Sequence, residues 1–221
     1  MINNIKTNII FMGQPGAGKG TVASLLASKS NLIHVSTGNI FRKEIEKKTE
    51  LGMKVQSIVT TGGYVPDEIT NAIVKNALEE LQSKNKYFIL DGFPRTIAQA
   101  EYLKTLKEFK FIVVELEVDK SIILERLSGR RTCPQCGESY HIKFKPSKDN
   151  IKCDICSTEL VQRQDDTEDR IAKRLDLYEE QTKPLLDYYS KLGELNVIDA
   201  SQRPDLVADK VLKLIEKNDK I

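Results

Sequence analysis

The sequence contains no tryptophan, only two histidines and no apolar run that approaches the length of a membrane-spanning helix. Its N-terminus lacks the basic segment followed by a long apolar stretch that is typical of a secretory signal. Charged residues make up 30% of the chain but leave a net charge of only +2, so bulk charge argues neither for nor against a nucleic-acid partner. We therefore expect a protein that is made and kept in the cytoplasm.

The chain does contain a glycine-rich segment directly after an apolar run. Residues 9–12 are apolar, residues 13–21 read Gly-Gln-Pro-Gly-Ala-Gly-Lys-Gly-Thr, and residues 22–27 favour a helix. A buried strand, a glycine-rich turn and a helix form a P-loop, whose backbone N–H groups and helix N-terminus surround a polyphosphate. An ordinary strand-to-helix turn would not require three glycines and Lys19 at these positions. The segment therefore predicts binding of a nucleoside triphosphate.

The residue after the P-loop lysine departs from the general pattern. A Ser or Thr hydroxyl normally ligates Mg²⁺ at that position, whereas this chain has Gly20 followed by Thr21. We therefore do not assign metal ligation to Thr21. We expect phosphates, water and a carboxylate from elsewhere in the chain to hold the ion that accompanies the nucleotide.

Apolar strand-like runs alternate with helical patterns along the chain. The runs lie at residues 8–12, 32–35, 87–90, 111–117 and 195–198. Apolar residues recur at helical spacing in 67–82 and 96–108, and residues 166–192 form the longest helical stretch, with a kink expected at Pro184. This alternation predicts an α/β fold with a parallel sheet flanked by helices, which binds ligands at the carboxyl ends of its strands.

Two segments interrupt the alternation and are predicted to stand off the core. The first insertion, residues 37–66, carries an extra helical piece, and the second insertion, residues 130–166, is rich in Cys, Pro, Asp and Lys. The expected organisation is therefore a core made of residues 1–36, 67–129 and 167–221, with these two insertions between its parts.

All four cysteines lie in the second insertion, as the pairs Cys133–Cys136 and Cys153–Cys156 with sixteen residues between them. Two such pairs can supply four thiolates to a tetrahedral Zn²⁺. Disulfides and a redox-active pair are alternatives, but cytosolic thiols are normally reduced, and two matched pairs favour a metal. Because the segment is too small and polar for a core of its own, we expect structural zinc to stabilise it.

The remaining candidate residues are mainly arginines near the expected active edge of the sheet. Asp91 and Arg95 follow the third strand-like run, and Arg42 lies in the first insertion. The others flank the second insertion: Arg126, Arg130 and Arg131 precede it or open it, and Arg163 and Arg174 follow its cysteines. Any one of them alone would be read as a solvated surface residue. As a group they suit phosphoryl transfer, which requires positioned cations, because the planar guanidinium binds phosphate bidentately.

Together these motifs resemble the adenylate kinase family, in its bacterial-type long-lid form with a zinc site. The matching segments run from residue 8 to about 204: 13–21, 36–42 (Ser-Thr-Gly-Asn-Ile-Phe-Arg), 91–96 (Asp-Gly-Phe-Pro-Arg-Thr), 129–131, both cysteine pairs and 163–166. The resemblance implies the P-loop nucleoside-monophosphate kinase fold, with a mobile AMP-binding insertion and a mobile zinc-binding lid. It also implies reversible, Mg²⁺-dependent conversion of ATP and AMP into two ADP by a monomer, without nucleic-acid or membrane partners.

The resemblance also assigns residues to two nucleotide sites. The ATP contacts would be Gly16, Ala17, Gly18, Lys19, Gly20, Thr21, Arg126, Arg130, Ser139, Tyr140 and Gln202. The AMP contacts would be Thr37, Arg42, the backbone of Gly63, Tyr64 and Val65, then Gly92, Phe93, Pro94, Arg95, Gln99, Arg163 and Arg174. The catalytic set would be Lys19, Arg95, Arg130, Arg163, Arg174 and Asp91, the last orienting the waters around Mg²⁺.

Some alternatives remain open at this point. Gln99 and Thr96 also form a Thr-x-x-Gln capping box, so Gln99 has either an adenine-binding or a helix-capping role. A kinase for UMP, CMP or GMP would share the fold, although the long zinc segment with Thr37 and Gln99 argues against it. A zinc-ribbon nucleic-acid binder would leave the P-loop unexplained. His34 and His141 receive no role.

Overall fold

In the computed structural model, which describes residues 4–218, five parallel strands form the central sheet. The strands of the chain are β1 (Asn8–Met12), β2 (Ile33–Ser36), β3 (Phe88–Asp91), β4 (Phe111–Glu117), β5 (Arg130–Thr132), β6 (Ser139–His141) and β7 (Leu195–Asp199). The sheet has the spatial order β2-β3-β1-β4-β7, and β5 and β6 form a separate antiparallel pair. Every residue of β1 is buried, since this strand is central and covered on both faces.

Helices cover both faces of the sheet. They are α1 (Lys19–Lys29), α2 (Thr37–Glu46), α3 (Glu50–Thr60), α4 (Asp67–Ser83), α5 (Ile97–Thr105), α6 (Lys120–Ser128), α7 (Glu168–Leu177), α8 (Pro184–Lys191) and α9 (Pro204–Asn218). One apolar cluster joins the sheet to α1, α6, α7 and α9, and a second joins it to α4, α5 and α8. None of the helices within residues 4–218 has the length and apolar composition needed to cross a membrane.

The boundaries differ from the sequence prediction in small, explicable ways. Strands β2 and β3 lie one residue later than expected, so Asp91 ends β3 instead of following it. Helix α5 stops at Thr105, before the predicted residue 108, because the chain leaves the helical region at Leu106 and turns. This turn brings the ring of Phe109 to 5.8 Å from the ring of Phe88, measured between centroids.

The predicted helix over residues 166–192 is divided into α7, a π-helical turn over Tyr178–Thr182 and α8. Pro184 has no N–H group, so it cannot continue the hydrogen-bond ladder. The backbone N–H of Lys183 instead donates to the carbonyl of Tyr178, five residues back, at 2.8 Å. The interruption near Pro184 is therefore confirmed, but it takes up the turn before the proline.

The two insertions have small cores of their own. The first insertion contains α2 and α3, which pack on Phe41, Val55 and Val65. The helices approach closely, since a Cβ at Gly52 would lie 2.1 Å from the carbonyl oxygen of Glu44. In the second insertion, the buried cluster consists of two cysteines and Tyr140, with Cys156 and Leu160 packed against it.

Strand register brings the predicted active segments to one edge of the sheet. Phe11 of β1 pairs with Asp91 of β3, and Asp91 pairs with Ser36 of β2. Because all three strands are parallel, the segments that follow them leave at the same edge. These segments are the P-loop, the start of the first insertion and residues 92–96.

Candidate active site

A cavity of about 590 Å³ lies over the carboxyl edge of the sheet, between the P-loop and the second insertion. A smaller cavity of about 60 Å³ lies beside it, beneath the first insertion. The four arginines that line both are Arg42, Arg95, Arg163 and Arg174. Two adjoining spaces with shared cations can hold two phosphorylated ligands with their phosphates together.

The structure places the residues predicted for ATP around the larger cavity. All eleven line it: Gly16, Ala17, Gly18, Lys19, Gly20, Thr21, Arg126, Arg130, Ser139, Tyr140 and Gln202. The hydroxyl of Tyr140 is engaged within the second insertion, where it accepts a hydrogen bond from the N–H of Asp154 at 2.8 Å. The guanidinium of Arg126 donates to the carbonyls of Ala17 and Ala200 at 3.3 and 3.1 Å.

Most residues predicted for AMP surround the smaller cavity. Ten line it: Thr37, Arg42, Gly63, Tyr64, Val65, Gly92, Arg95, Gln99, Arg163 and Arg174. Pro94 lines the larger cavity instead. Phe93 is fully buried in the core cluster that includes residues of α4 and α5, and it lines neither cavity, so the structure does not place this predicted residue against a ligand.

The P-loop conformation depends on glycine at specific positions. A Cβ at Gly13 would lie 2.5 Å from the carbonyl oxygen of Leu116, and Gly18 caps α1 in the left-handed region with φ 97°. Within the loop, the ammonium of Lys19 donates to the carbonyls of Gly13 and Gln14 at 2.6 and 2.9 Å. The loop thus holds a positive charge at its centre.

Burial shifts the pKa values of both Lys19 and Asp91, but neighbouring groups reverse the shift at Asp91. Burial lowers the pKa of Lys19 to about 8, with Asp91 opposing the shift and nearby arginines adding to it. Burial raises the pKa of Asp91, but the hydrogen bond from His34 and the charges of His34 and Lys19 outweigh it and lower that pKa to about 2. Asp91 is therefore ionised at neutral pH, directly beside the P-loop.

The sequence analysis missed His34, which lies in the larger cavity. Its Nε2 donates to the carboxylate of Asp91 at 3.2 Å. Strand alternation would have placed His34 on the correct face of β2, although not beside Asp91. Val35 points into the core, so His34 and Ser36 face the other side of β2, near the carboxyl edge and next to the strand of Asp91.

The surroundings of Gly20 fit a nucleotide-bound Mg²⁺. A Cβ at Gly20 would lie 3.5 Å from Oδ2 of Asp91, so the carboxylate faces the P-loop position that usually bears a hydroxyl. A single ionised carboxylate beside phosphate oxygens is a donor set that Mg²⁺ accepts while keeping several waters. Asp91 thus lies where the carboxylate expected from the departure at Gly20 would be needed.

Two buried aspartates hold three of the arginines. Arg130 binds Asp166 bidentately, with Nε and Nη2 at 2.8 and 2.5 Å from the two carboxylate oxygens. Arg174 donates to Asp166 at 2.8 Å and lies 3.2 Å from Asp165. Arg163 binds Asp165 with both Nε and Nη2. These pairs fix the orientation of the three guanidinium groups.

The arginines that line the two cavities nevertheless carry positive charge that the aspartates do not neutralise. Burial, reinforced by Arg130 and Arg163, lowers the pKa of Arg174 to about 10. Burial and the charge of Arg163 likewise lower the pKa of Arg42. Binding of phosphate would relieve this repulsion, so the site favours polyanionic ligands.

The four cysteine sulfurs converge in the second insertion. They lie within 4.8 Å of one another, and all four thiols are free, which excludes the disulfide alternative for this structure. Thiolates about 2.3 Å from a tetrahedral zinc would be separated by about 3.8 Å. Each pair sits in a backbone knuckle, in which Gly137 and Ser157 donate N–H bonds to the carbonyls of Cys133 and Cys153. The donor set fits a closed structural zinc site.

A family model described as adenylate kinase matches residues 11–194. The chain belongs to the adenylate kinase family. Its curated relatives align over nearly their whole length. The adenylate kinase of Mycoplasmopsis pulmonis is 51% identical over 214 residues, covering 96% of this chain and 98% of that protein. Those of Mycoplasma mobile and Clostridium perfringens are 48% and 45% identical, each covering 94% of this chain and 97% of the relative.

Family membership confirms the predicted P-loop nucleoside-monophosphate kinase fold and the predicted phosphotransferase activity of an adenylate kinase. The individual residue assignments rest on the geometry described above and remain predictions.

Gln99 is the assignment for which the structure adds most detail. Its backbone N–H donates to Thr96 Oγ1 at 3.1 Å, and its Oε1 accepts the N–H of Arg95 at 2.7 Å. Its Nε2 donates to Asp67 at 2.7 Å. Thr96 thus caps α5 through the backbone N–H of Gln99, whereas the Gln99 side chain binds the residue before the cap and lines the smaller cavity of this adenylate kinase.

Proposed function

We propose that this adenylate kinase transfers the terminal phosphoryl group of ATP, bound with Mg²⁺, in line to AMP and forms two ADP reversibly. The observation that carries the proposal is the pair of adjoining cavities with arginines common to both. One cavity contains the P-loop, and the other lies beneath the first insertion. Transfer between two nucleotides requires this arrangement, because both phosphate chains must meet at one point.

In the proposed mechanism, the P-loop backbone and Lys19 bind the outer phosphates of ATP. Arg130, Arg163 and Arg174 exchange their carboxylate contacts for phosphate oxygens and stabilise the charge that spreads over the transferring group. Arg42 and Arg95 bind the phosphate of AMP. Mg²⁺, when bound, neutralises phosphate charge, and Asp91 orients the waters around it.

We further propose that the two insertions close over the nucleotides and exclude water, which would otherwise hydrolyse ATP. Their contact supports this reading. Gly137 of the second insertion lies beside Asn39 of the first, since a Cβ at residue 137 would be 3.2 Å from Asn39 Nδ2. The proposed moving units are residues 37–66 and 130–166, attached to the core segments 1–36, 67–129 and 167–221.

The other properties that we propose are a structural Zn²⁺ on the four cysteines, a monomeric state and a cytoplasmic location. We also propose that the protein has no nucleic-acid or membrane partner. With four thiolate ligands, zinc has no open position for water or substrate, so it takes no part in the transfer.

A coupled assay of ADP formation from ATP and AMP tests the function. UMP, CMP and GMP serve as competing acceptors, and AMP is expected to have the highest kcat/KM because a site that hydrogen-bonds one base edge penalises bases that leave its polar groups unpaired. A higher kcat/KM for one of the other monophosphates would contradict the AMP assignment without affecting the P-loop assignment.

Replacing Gln99 with alanine is expected to raise the KM for AMP by about 10-fold or more, because an unpaired buried polar group costs about 1–3 kcal/mol. The KM for ATP is expected to stay within about twofold. Steady-state kinetics with each nucleotide varied in turn measures both constants. Thr96→Ala is the matched control, since it removes the side-chain cap of α5 but leaves the Gln99 side chain. Equal losses for both nucleotides, reproduced by Thr96→Ala, would favour the capping role.

The buried ammonium of Lys19 predicts a pH dependence. Since its pKa in the free enzyme is about 8, raising the pH through that value removes the positive charge, and kcat/KM for ATP is expected to fall. Bound phosphates favour the charged form, so kcat should fall only at higher pH. Rates measured from pH 6 to pH 10 check this. In Lys19→Arg, whose side chain stays charged, an unchanged alkaline limb would assign the titration to another group.

A further inference from the structure

The side chain of Tyr64 contacts an arginine of the smaller cavity. The guanidinium carbon of Arg95 lies 4.9 Å from the centre of the Tyr64 ring, a distance typical of a cation–π interaction. Nε of the same arginine donates to the carbonyl of Gly92 at 2.8 Å. Both contacts orient the guanidinium without neutralising it, unlike the carboxylates that hold Arg130, Arg163 and Arg174.

A buried hydroxyl links Tyr64 to the backbone of Arg95. Thr182 donates its one hydroxyl hydrogen to the carbonyl of Arg95 at 2.9 Å, because a carbonyl can only accept. The hydroxyl oxygens of Tyr64 and Thr182 are 2.8 Å apart. Since the hydrogen of Thr182 is already used, Tyr64 must be the donor in that bond. The result is a directed chain from Tyr64 through Thr182 to Arg95.

The three residues come from separate parts of the chain. Tyr64 lies at the end of the first insertion, Arg95 follows β3, and Thr182 ends the π-helical turn. A π turn places one more residue in a helical turn than an α-helix does, and such turns are frequent at functional sites. Here the turn presents a residue that is only 6% exposed to the carbonyl of Arg95.

We propose that Tyr64 and Thr182 are positioning residues that hold Arg95 where it meets the phosphate of the acceptor nucleotide. The inference rests on the proposed function of Arg95 and adds that the first insertion, through the Tyr64 side chain, sets the direction of this cation. An arginine oriented in advance loses less conformational freedom when it binds phosphate. The effect should therefore appear in the KM for AMP and in kcat, and not in the KM for ATP.

The test uses Tyr64→Leu, which removes the ring, and Tyr64→Phe and Thr182→Val, which remove only the hydroxyl chain. Tyr64→Leu is expected to raise the KM for AMP about 3- to 20-fold, the range of a partly buried cation–π contact. Each hydroxyl variant should raise it about 2- to 5-fold. Combining Tyr64→Phe with Thr182→Val should raise the KM for AMP no further than either substitution alone, because both interrupt the same chain of hydrogen bonds. Tyr188→Leu is the matched control, since it removes a similar contact with Lys104 (4.8 Å) outside both cavities.

Arg95→Ala distinguishes the proposed function of Arg95 from the positioning role of Tyr64 and Thr182. If it leaves the KM for AMP and kcat unchanged, the proposed function of Arg95 is wrong. If it impairs both, while Tyr64→Leu and Thr182→Val change only thermal stability, the positioning role is overturned. The expected result is that Tyr64→Leu adds no further increase in the KM for AMP when Arg95 is already alanine. An equal increase in both backgrounds would also overturn the proposal.

Discussion

Replacing Lys19 with methionine is expected to lower kcat by about 10³-fold, at the upper end of what removal of one transition-state donor costs. Methionine keeps the length and apolar body of the side chain but removes the charge. The ammonium is the group that the P-loop holds at its centre, through the carbonyls of Gly13 and Gln14. The measurement is the initial rate of ADP formation with both nucleotides saturating.

Thermal stability should not fall in the same variant. Burial lowers the pKa of Lys19, which means that the folded protein disfavours the charged form. Removing the buried charge therefore offsets the loss of the two hydrogen bonds to Gly13 and Gln14. Lys29→Met is the control, because Lys29 belongs to the same helix but lies outside the cavity and pairs with Asp209 at 2.8 Å. Near-normal turnover in Lys19→Met would show that the P-loop assignment is wrong.

The main features of the site follow from local sequence patterns. The succession of strand, glycine-rich turn and helix locates the P-loop, because only glycine readily adopts the positive φ angles found at Gly13 and Gly18. Parallel strands then bring Asp91 and Ser36 to the same edge, as the alternation predicted. The cysteine spacing predicts a convergence of four sulfurs, because each Cys-x-x-Cys knuckle is formed by a few adjacent residues. These features need little information from distant parts of the chain.

Other features depend on tertiary contacts that spacing does not encode. His34 meets Asp91 only because β2 and β3 are neighbours, and Tyr64 meets Thr182 across 118 positions of sequence. The π turn lies just before Pro184, but a proline in the sequence indicates only that the helix is interrupted, not which kind of turn takes its place. The same limit applies to Gln99, because the pattern alone could not show that its side chain binds Arg95 and Asp67 and lines the smaller cavity.

Asp165 and Asp166 illustrate a further limit of sequence reasoning. The arginines were predicted from their number and placement, but a motif does not show what balances their charge. The carboxyl pKa of Asp165 is raised by burial and then lowered, well below its usual range, by Arg163 and Arg174. A phosphate that binds these guanidinium groups would have to replace the aspartates. The affinity for phosphates is therefore the difference between two sets of ion pairs, which only the assembled site reveals.

Removing the metal is expected to loosen the second insertion, residues 130–166, and lower thermal stability while leaving substantial activity at low temperature. Its buried cluster consists mainly of cysteines and Tyr140, so little apolar burial remains without an ion. Structural zinc supplies roughly 10–16 kcal/mol of apparent binding energy to a small module. If a few kcal/mol of this binding energy contributes to the free energy of unfolding of the whole protein, the midpoint of thermal unfolding should fall by about 10 °C when the metal is removed. Elemental analysis, thermal unfolding and limited proteolysis of chelator-treated protein measure these changes.

The matched variants are Cys153→Ser, which removes a ligand, and Ser157→Gly, which alters the same knuckle but keeps all four thiols. Ser157 has φ 58°, a conformation that glycine adopts without strain, so Ser157→Gly should retain one zinc and its thermal stability. Cys153→Ser should lose the metal and become protease-sensitive within residues 130–166, yet keep substantial activity well below its unfolding temperature. The reason is that a zinc with four thiolates has no position for substrate. Complete loss of activity in a folded, metal-free protein would instead place the metal in the reaction, and protein purified without any metal would remove the zinc assignment altogether.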